Sequence, residues 1–264
     1  MVTARCGRGW LGVAALAGAL TAATAAAKIP AQDELLALSQ AAVGNQLGDY
    51  RLTDHHGASV MLSELRGKPV ILNFVYTSCH SSCPMVIEHL DRAVKGARDT
   101  FDENAFYVVT VGFDTRYDTP ARMGQFARQH GVSDPQWYFV TGTEQTVRSL
   151  ADDTGFTWFE APHGFDHITQ VSVISAEGTV YRQIYGEVIH LPILVEPLKE
   201  LIWGAQASAN TLEGWVDGLR LLCTVFDPAS GRYRFDYSVI IGAVIGALSL
   251  TGLGIFLVRA WRRV

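Results

Sequence analysis

The hydrophobic pattern of this chain centres on an apolar run at residues 70–76, which is rich in Val, Ile and aromatic side chains. Such a run is typical of a strand that is buried on both faces of a sheet. After a short loop, apolar side chains recur at helical spacing at Val86, Leu90 and Val94, with charged residues between them. Pro84 favours the first turn of this helix, where a missing backbone N–H costs no hydrogen bond. The pattern therefore predicts a buried strand, a loop and an amphipathic helix that begins near residue 83.

Strands and helices alternate through the rest of residues 46–204, after a polar lead-in at residues 28–45. The further predicted elements are a hairpin at 48–67, strands at 106–113 and 137–141, a helix with Pro120 at its first position, a helix from Thr143 to Asp153, a hairpin across 168–185, and a helix through 191–201 that Pro197 either kinks or begins. This alternation predicts an α/β three-layer domain. Because a two-cysteine loop joins the buried strand to its helix, we expect a thioredoxin-like domain.

Both ends of the chain carry segments typical of export and membrane attachment. Residues 1–27 combine Arg5 and Arg8 with an apolar run and an Ala-rich end, which predicts a secretory signal peptide, with an uncleaved anchor as the alternative. Residues 237–258 carry no charge over about twenty positions, which is the length that a transmembrane helix needs. The arginines that follow predict a cytoplasmic tail at residues 259–264.

This topology places the domain outside the cytoplasm, on a single-pass C-terminal anchor in the inner membrane, with the domain in the periplasm. A connector at residues 205–236 joins the domain to the anchor. Apolar side chains in the connector share one face of a predicted short helix, and this face packs either on the domain or on the membrane surface; they are Leu212, Trp215, Val216, Leu219 and Leu222.

The charge and cysteine content exclude two classes of protein. The net charge of −5 is mild and unclustered, so nothing in the chain favours nucleic acid as a partner. The four cysteines lie at positions 6, 79, 83 and 223, which does not predict a disulfide-stapled scaffold. Export permits a disulfide, and Cys79 and Cys83 are the one adjacent pair.

The pair Cys79 and Cys83 can hold a soft metal ion or close into a disulfide. The N-terminus of the following helix is expected to favour thiolate at its first turn. His167 is predicted in a loop before a core strand, where it can face both sulfurs. Two sulfurs and an imidazole suit Cu(I), and a further ligand would complete a Cu(II) site; Zn²⁺ with a water is the alternative. Asp166 is expected to orient the imidazole or to supply an oxygen.

Three motifs resemble the Sco (SenC) family over about residues 46–204. They are Phe74-Val75-Tyr76-Thr77-Ser78-Cys79 with Cys83-Pro84, Asp114-Thr115-Arg116-Tyr117-Asp118-Thr119-Pro120, and Asp166-His167. The resemblance implies a thioredoxin-fold copper-binding protein that assists assembly of the binuclear copper centre of cytochrome c oxidase, with ligands at Cys79, Cys83 and His167. The family usually has proline after its first cysteine, and here His80 stands there as a fourth ligand, an altered docking contact or a neutral loop residue.

Taken together, these features predict a metallochaperone rather than an enzyme. It would bind one copper per chain, as Cu(I), Cu(II) or both, and deliver it to the copper-site subunit of cytochrome c oxidase. Other expected partners are periplasmic copper carriers or thiol reductants. The alternative is a thiol–disulfide reductase that reduces the cysteines of that copper site. A peroxidase is disfavoured, because Thr77 lies too close to Cys79 and no proline precedes it as peroxiredoxins require.

Overall fold

The computed structural model describes residues 31–79, 82–162, 164–204, 211–228 and 230–262. The predicted signal peptide at residues 1–27 and His80 lie outside these ranges. The elements in chain order are α1 (Gln32–Ala41), β1 (Arg51–Asp54), β2 (Ser59–Met61), β3 (Val70–Val75), α2 (Ser82–Thr100), β4 (Tyr107–Gly112), α3 (Pro120–Gln129), β5 (Trp137–Thr141), α4 (Glu144–Asp153), β6 (Trp158–Ala161), β7 (Gly164–His167), β8 (Gln170–Ile174), β9 (Val180–Tyr185), α5 (Leu191–Lys199), α6 (Leu212–Cys223), β10 (Thr224–Asp227), β11 (Arg232–Phe235) and α7 (Ser238–Trp261).

Strand β3 is an inner strand, next to the central strand β4, of a seven-stranded mixed sheet with the order β2-β1-β5-β4-β3-β8-β9. It pairs in parallel with β4 and antiparallel with β8, and all six of its residues are buried. Complete burial requires cover on both faces, which explains why the strand is an apolar run rather than an alternating pattern. The α/β thioredoxin-like architecture predicted from the sequence is confirmed.

A single polar residue, Asn73, interrupts the apolar run of β3; its Oδ1 joins a buried hydrogen-bond chain, while its Nδ2 has no hydrogen-bond partner among the described residues. The hydroxyl of Thr110 on β4 donates to Asn73 Oδ1 at 2.8 Å. The indole of Trp137 on β5 donates to the same hydroxyl at 2.8 Å. Because a buried polar group is costly without a partner, this chain ties the three parallel strands to one register.

The helices begin where their capping residues predict. Thr119 and Thr143 accept hydrogen bonds from backbone amides in the first turns of α3 and α4. Helix α5 begins at Leu191 and continues through Pro197, so this proline does not mark its start. A π-helical turn follows at Glu200–Gly204, directly after the turn that contains the proline.

Two hairpins were absent from the expected elements. Strands β6 and β7 form a separate two-stranded sheet, and His167 is the last residue of β7 rather than part of a loop. Strands β10 and β11 form another hairpin inside the predicted connector. All four strands have four residues, which is too short for a clear periodic signal in the sequence.

The connector packs on the domain through its hairpin. The buried Lys199 donates from Nζ to the carbonyl oxygen of Thr224 at 2.6 Å. The hydroxyl of Tyr233 donates to Glu196 Oε1 at 2.7 Å. The described side chains on the apolar face of α6 are exposed, and 73% of Leu222 is accessible to solvent. The choice between the domain and the membrane surface as the contact of that face stays a prediction.

Helix α7 has 24 residues and follows the connector after a cap, in which Asp236 Oδ1 accepts from the amide of Ser238 at 2.9 Å. Many of its aliphatic side chains are exposed. Within the part of the chain that the structure describes, no helix is long and apolar enough to cross a membrane. The transmembrane segment at residues 237–258 stays a prediction. This segment includes Val239 and Leu257, whose side chains lie outside the described residues.

Candidate functional site

The cysteine loop leaves the sheet at the end of β3 and enters α2. The amide of Cys79 donates to the carbonyl oxygen of Tyr76 at 3.0 Å, which turns the chain immediately after the strand. Cys83 is the second residue of α2. Both cysteines are buried and in the thiol form. The structure therefore brings the two predicted sulfur residues together at the strand-to-helix junction.

Asp118 fixes this loop from the segment between β4 and α3. Its Oδ1 accepts from the amide of Thr77 at 2.8 Å and from the Thr77 hydroxyl at 2.7 Å, and its Oδ2 accepts from the amide of Asp114 at 2.9 Å. The side chain is fully buried, and burial raises the pKa of Asp118 although these hydrogen bonds oppose the shift. Its sequence position beside a helix cap gave no sign of this role.

The two sulfurs have different surroundings. The amide of Cys83, at the N-terminus of α2, donates to Cys79 Sγ at 3.4 Å. A side-chain hydrogen bond to Cys79, together with burial, raises the pKa of the Cys83 thiol. The helix N-terminus was expected to favour thiolate at this turn, but at Cys83 the hydrogen bond and desolvation outweigh it. The two cysteines are therefore not equivalent, because the Cys79 sulfur accepts hydrogen bonds from both the amide and the side chain of Cys83.

Tyr76 connects the sulfur pair to a cluster of aromatic rings. Its hydroxyl is hydrogen-bonded to Cys79, and burial, the larger cause, joins this bond in raising the pKa of Tyr76. Its ring lies edge-on to Phe165 with centroids 5.2 Å apart, and edge-on to His167 at 6.3 Å. Only its aromatic character was visible in the sequence, so the hydroxyl contact to Cys79 was missed.

His167 lies among these rings in a defined tautomer. Its ring centroid is 5.7 Å from that of Phe113 and 5.5 Å from that of Phe156. Its Nδ1 lies 3.0 Å from the carbonyl oxygen of Ile168. Because a carbonyl oxygen only accepts, Nδ1 carries a proton, so in the neutral imidazole Nε2 is the nitrogen with the lone pair that can bind a metal.

The other two predicted residues have different outcomes. Asp166 is exposed, and its neighbour His167 points to the opposite face of β7, as adjacent strand residues do. The carbonyl oxygen of Ile168 takes the orienting hydrogen bond that was expected of Asp166. His80 lies outside the described residues, so its three alternative roles stay open.

The described residues contain no group of three or more His, Cys, Asp or Glu side chains that could hold a metal ion. The structure joins Cys79 and Cys83, and it places His167 in the neighbouring aromatic cluster against Tyr76. The three-residue ligand set stays a prediction.

The family model of SCO1/SenC matches residues 39–202 of the chain. This chain belongs to the SCO1/SenC family. The match covers nearly the same region as the resemblance at residues 46–204, and it confirms that prediction. The cysteine loop, Asp118 and His167 of this Sco protein all lie inside the matched range.

Relatives of this Sco chain agree with the assignment. Protein SCO2 homolog, mitochondrial, from Homo sapiens is 37% identical over 165 residues, which are 60% of this chain and 60% of that protein. Bradyrhizobium japonicum ScoI, solved with copper bound, is 20% identical, covers 60% of this chain and 99% of its own, and superposes with a TM-score of 0.51. BsSco, in which a disulfide switch has been identified, belongs to the Sco family of cytochrome c oxidase assembly proteins. Its structure is 18% identical in sequence, covers 60% of this chain and 94% of its own, and superposes with a TM-score of 0.53. The two structures support the fold of this Sco protein.

Proposed function

We propose that this Sco-family chain is a copper metallochaperone that assists assembly of the binuclear copper centre of cytochrome c oxidase. One copper ion would be its cargo, bound by Cys79, Cys83 and His167. The observation that carries the proposal is the pair of buried thiols at the strand-to-helix junction of a family member, with the Cys83 amide 3.4 Å from Cys79 Sγ. Thiolates and imidazole are donors that suit copper.

Two sulfurs and an imidazole are suitable ligands for copper. Their present protonation and hydrogen bonds indicate what must change when copper binds. Metal ligation requires deprotonated sulfur, so the raised pKa of Cys83 means that its proton leaves on binding. The Tyr76 hydroxyl must also yield its bond to Cys79. His167 already holds Nε2 ready, on a two-stranded sheet separate from the seven-stranded one. The β6–β7 hairpin can therefore carry the imidazole toward the sulfurs without breaking the main sheet.

A titration of the reduced chain with Cu(I) and Cu(II), with Zn²⁺ as competitor, tests the proposal. We expect one copper per chain, lower affinity in Cys79→Ser and Cys83→Ser, and a smaller loss in His167→Ala, because a thiolate brings charge and an imidazole does not. Cys223→Ser is the matched control, since Cys223 is also a buried cysteine but lies in the connector. Tightly bound stoichiometric copper in the Cys79→Ser/Cys83→Ser double variant would refute the assignment.

The non-equivalence of the two cysteines also favours a second candidate, a thiol–disulfide reductase acting on the cysteines of that copper site. Donors aimed at Cys79 suit a nucleophile, and Cys83, whose pKa is raised by its side-chain hydrogen bond to Cys79, suits a resolving thiol. Reduction of a disulfide-bonded copper-site domain by the metal-free chain separates the duties. If the chain is a reductase, it should reduce this disulfide, and Cys79→Ser should abolish the reduction. Copper transfer without disulfide reduction would favour copper delivery as the function.

We further propose that the chain is anchored in the inner membrane by residues 237–258, with the domain in the periplasm. The support is the uncharged sequence of this segment and the arginines at 259, 262 and 263. The exposed aliphatic side chains of α7 agree with it. A reporter that is active only outside the cytoplasm should work when fused after Gly204 and fail after Val264. The reverse pattern would contradict this topology.

A further inference from the structure

A cleft of about 540 Å³ lies beside Cys79, between the cysteine loop and α3. Thr77 and Cys79 line it on the loop side, and Phe126 and Pro84 contribute its apolar surface. It differs from the aromatic cluster around His167, since none of the rings that contact that imidazole is among the described residues lining the cleft. A segment held in this cleft would therefore lie against Cys79 without displacing the aromatic cluster.

Two contacts define the ends of the cleft. At one end, Asp118 ties Thr77 to the chain immediately before α3. At the other end, His130 Nδ1 approaches Glu88 Oε1 on α2 at 3.8 Å. The cleft therefore runs along α3, from the cysteine loop toward the C-terminal end of that helix.

A row of long polar side chains follows this direction. Arg122, Gln125 and Gln129 line the cleft at i, i+3 and i+7, which places them on one face of α3. Seven residues of helix rise about 10 Å, which matches about three residues of extended chain at ~3.3 Å each. Side-chain amides at this spacing can pair with the backbone groups of an extended peptide.

The charge of the cleft is concentrated at the cysteine end. Among the described residues that line it, Arg122 alone carries a permanent charge, and it lies one turn after the cap Thr119. Its guanidinium is exposed and lies 6.0 Å from the ring centroid of Tyr117. An anionic group of a partner would meet this guanidinium close to the partner atom that reaches Cys79.

We propose that this cleft receives an extended segment of the partner polypeptide, in which an Asp or Glu stands next to the cysteine that meets Cys79. Arg122 binds the carboxylate, and Gln125 and Gln129 bind the backbone. This deepens the proposed function and rests on it for the nature of the partner, because both copper delivery and disulfide reduction bring a partner cysteine to Cys79. Arg122 is accordingly a specificity-determining residue.

The test measures how fast Cys79 reacts with short peptides in the full chain carrying Cys83→Ser. Each peptide carries its cysteine as a 2-thiopyridyl disulfide. The Cys79 sulfur attacks the peptide sulfur, the bond between Cys79 and the peptide forms, and the peptide–thiopyridyl bond breaks. The proton of Cys79 leaves with 2-thiopyridone, whose absorbance is followed. The same chain with Cys79→Ser gives the background rate.

Three capped peptides differ only in the residue before the cysteine, which is Asp, Ala or Lys. We expect rate constants in the order Asp, Ala, Lys, with up to about fivefold between Asp and Ala, since an exposed ion pair changes an equilibrium up to about fivefold. Salt should reduce the difference. Arg122→Glu should reverse the order, and Arg122→Gln should abolish it.

Arg128→Glu is the matched control, because it makes the same charge change on the same helix. The Arg128 side chain lies near Gly124 and His55, and it is not among the described residues that line the cleft. Equal rates for the three peptides, or an order that Arg122→Glu changes no more than Arg128→Glu, would overturn the proposal. Copper titration of Arg122→Glu with both cysteines present separates this outcome from a failure of the proposed function, since copper binding should be unchanged.

Discussion

Replacing Asp118 with Asn should loosen the cysteine loop without touching either sulfur. The carboxylate accepts three hydrogen bonds, two at Oδ1 from Thr77 and one at Oδ2 from the amide of Asp114. An Asn with its oxygen at the Oδ1 position keeps both bonds from Thr77. Its NH₂ group then faces the Asp114 amide, so one bond is lost and two donors oppose each other.

The size of the effect follows from these bonds. A hydrogen bond to a charged group contributes about 1.5–3 kcal/mol. Removing a buried charge recovers part of its desolvation cost, so we expect Asp118→Asn to lower the free energy of unfolding by about 1–3 kcal/mol. Asp118→Ala loses all three bonds and leaves the buried Asp114 amide and the half-buried Thr77 amide without this acceptor, so the expected loss is about 3–5 kcal/mol.

The effect should depend on pH with a defined sign. Burial raises the folded pKa of Asp118 above its ordinary value of 3.8. A group of this kind contributes stability that is fully present below the unfolded pKa and is lost as pH rises through the folded pKa. The Asn variant lacks this contribution, so the difference in stability between the wild type and Asp118→Asn should be larger near pH 4 than at neutral pH.

Urea unfolding of the reduced, metal-free chain in detergent, followed by tryptophan fluorescence, measures these differences. Asp102→Asn is the matched control, because it removes an exposed carboxylate and should change the unfolding free energy by less than about 0.5 kcal/mol. Equal stability losses in Asp118→Asn and Asp102→Asn would refute the reasoning. A difference that grows with rising pH would show that the sign of the pKa shift is wrong.

Tyr76→Phe keeps the ring contacts but removes the hydroxyl that is hydrogen-bonded to Cys79. Because this hydroxyl favours the Cys79 thiolate, iodoacetamide should alkylate Cys79 more slowly in the variant. An unchanged alkylation rate would contradict this prediction. Lys199→Met removes the 2.6 Å bond to the carbonyl oxygen of Thr224 and should weaken hydrogen-exchange protection of the β10–β11 hairpin by about 1–3 kcal/mol, with the main sheet unaffected. Copper should slow the alkylation of Cys79 and leave the alkylation of the buried Cys223 unchanged, which peptide mapping with and without copper measures. Equal protection of Cys79 and Cys223 by copper would contradict this prediction.

The parts of the fold that local pattern determines could be predicted from the sequence. The apolar run of β3 forms a fully buried inner strand of the sheet, and Trp137–Thr141 is the strand that its residues predict. The cap at Thr119 and the proline after it fix the start of α3. In each case the signal lies within a few neighbouring residues, so no knowledge of distant contacts is needed.

The candidate site depends on contacts between distant segments, which local patterns do not encode. Asp118 lies 41 residues from Thr77, and nothing near it in sequence marks it as the acceptor for that loop. The β6–β7 hairpin brings its own constraint, since Gly164 has φ +129° and a Cβ there would lie 2.7 Å from the Tyr76 hydroxyl. Only glycine allows this approach. The close contact positions β7, and with it His167, against Tyr76.

The difference between the two sulfurs explains how one pair can suit both copper delivery and disulfide reduction. Copper requires both thiols to lose their protons, and the raised pKa of Cys83 sets the cost of the second loss. Disulfide exchange begins with one thiolate only, and the donors at Cys79 favour that sulfur. The Cys83 proton therefore separates the two proposed functions. A partner that takes this proton shifts the pair toward metal binding, whereas one that offers a disulfide to Cys79 draws it into exchange.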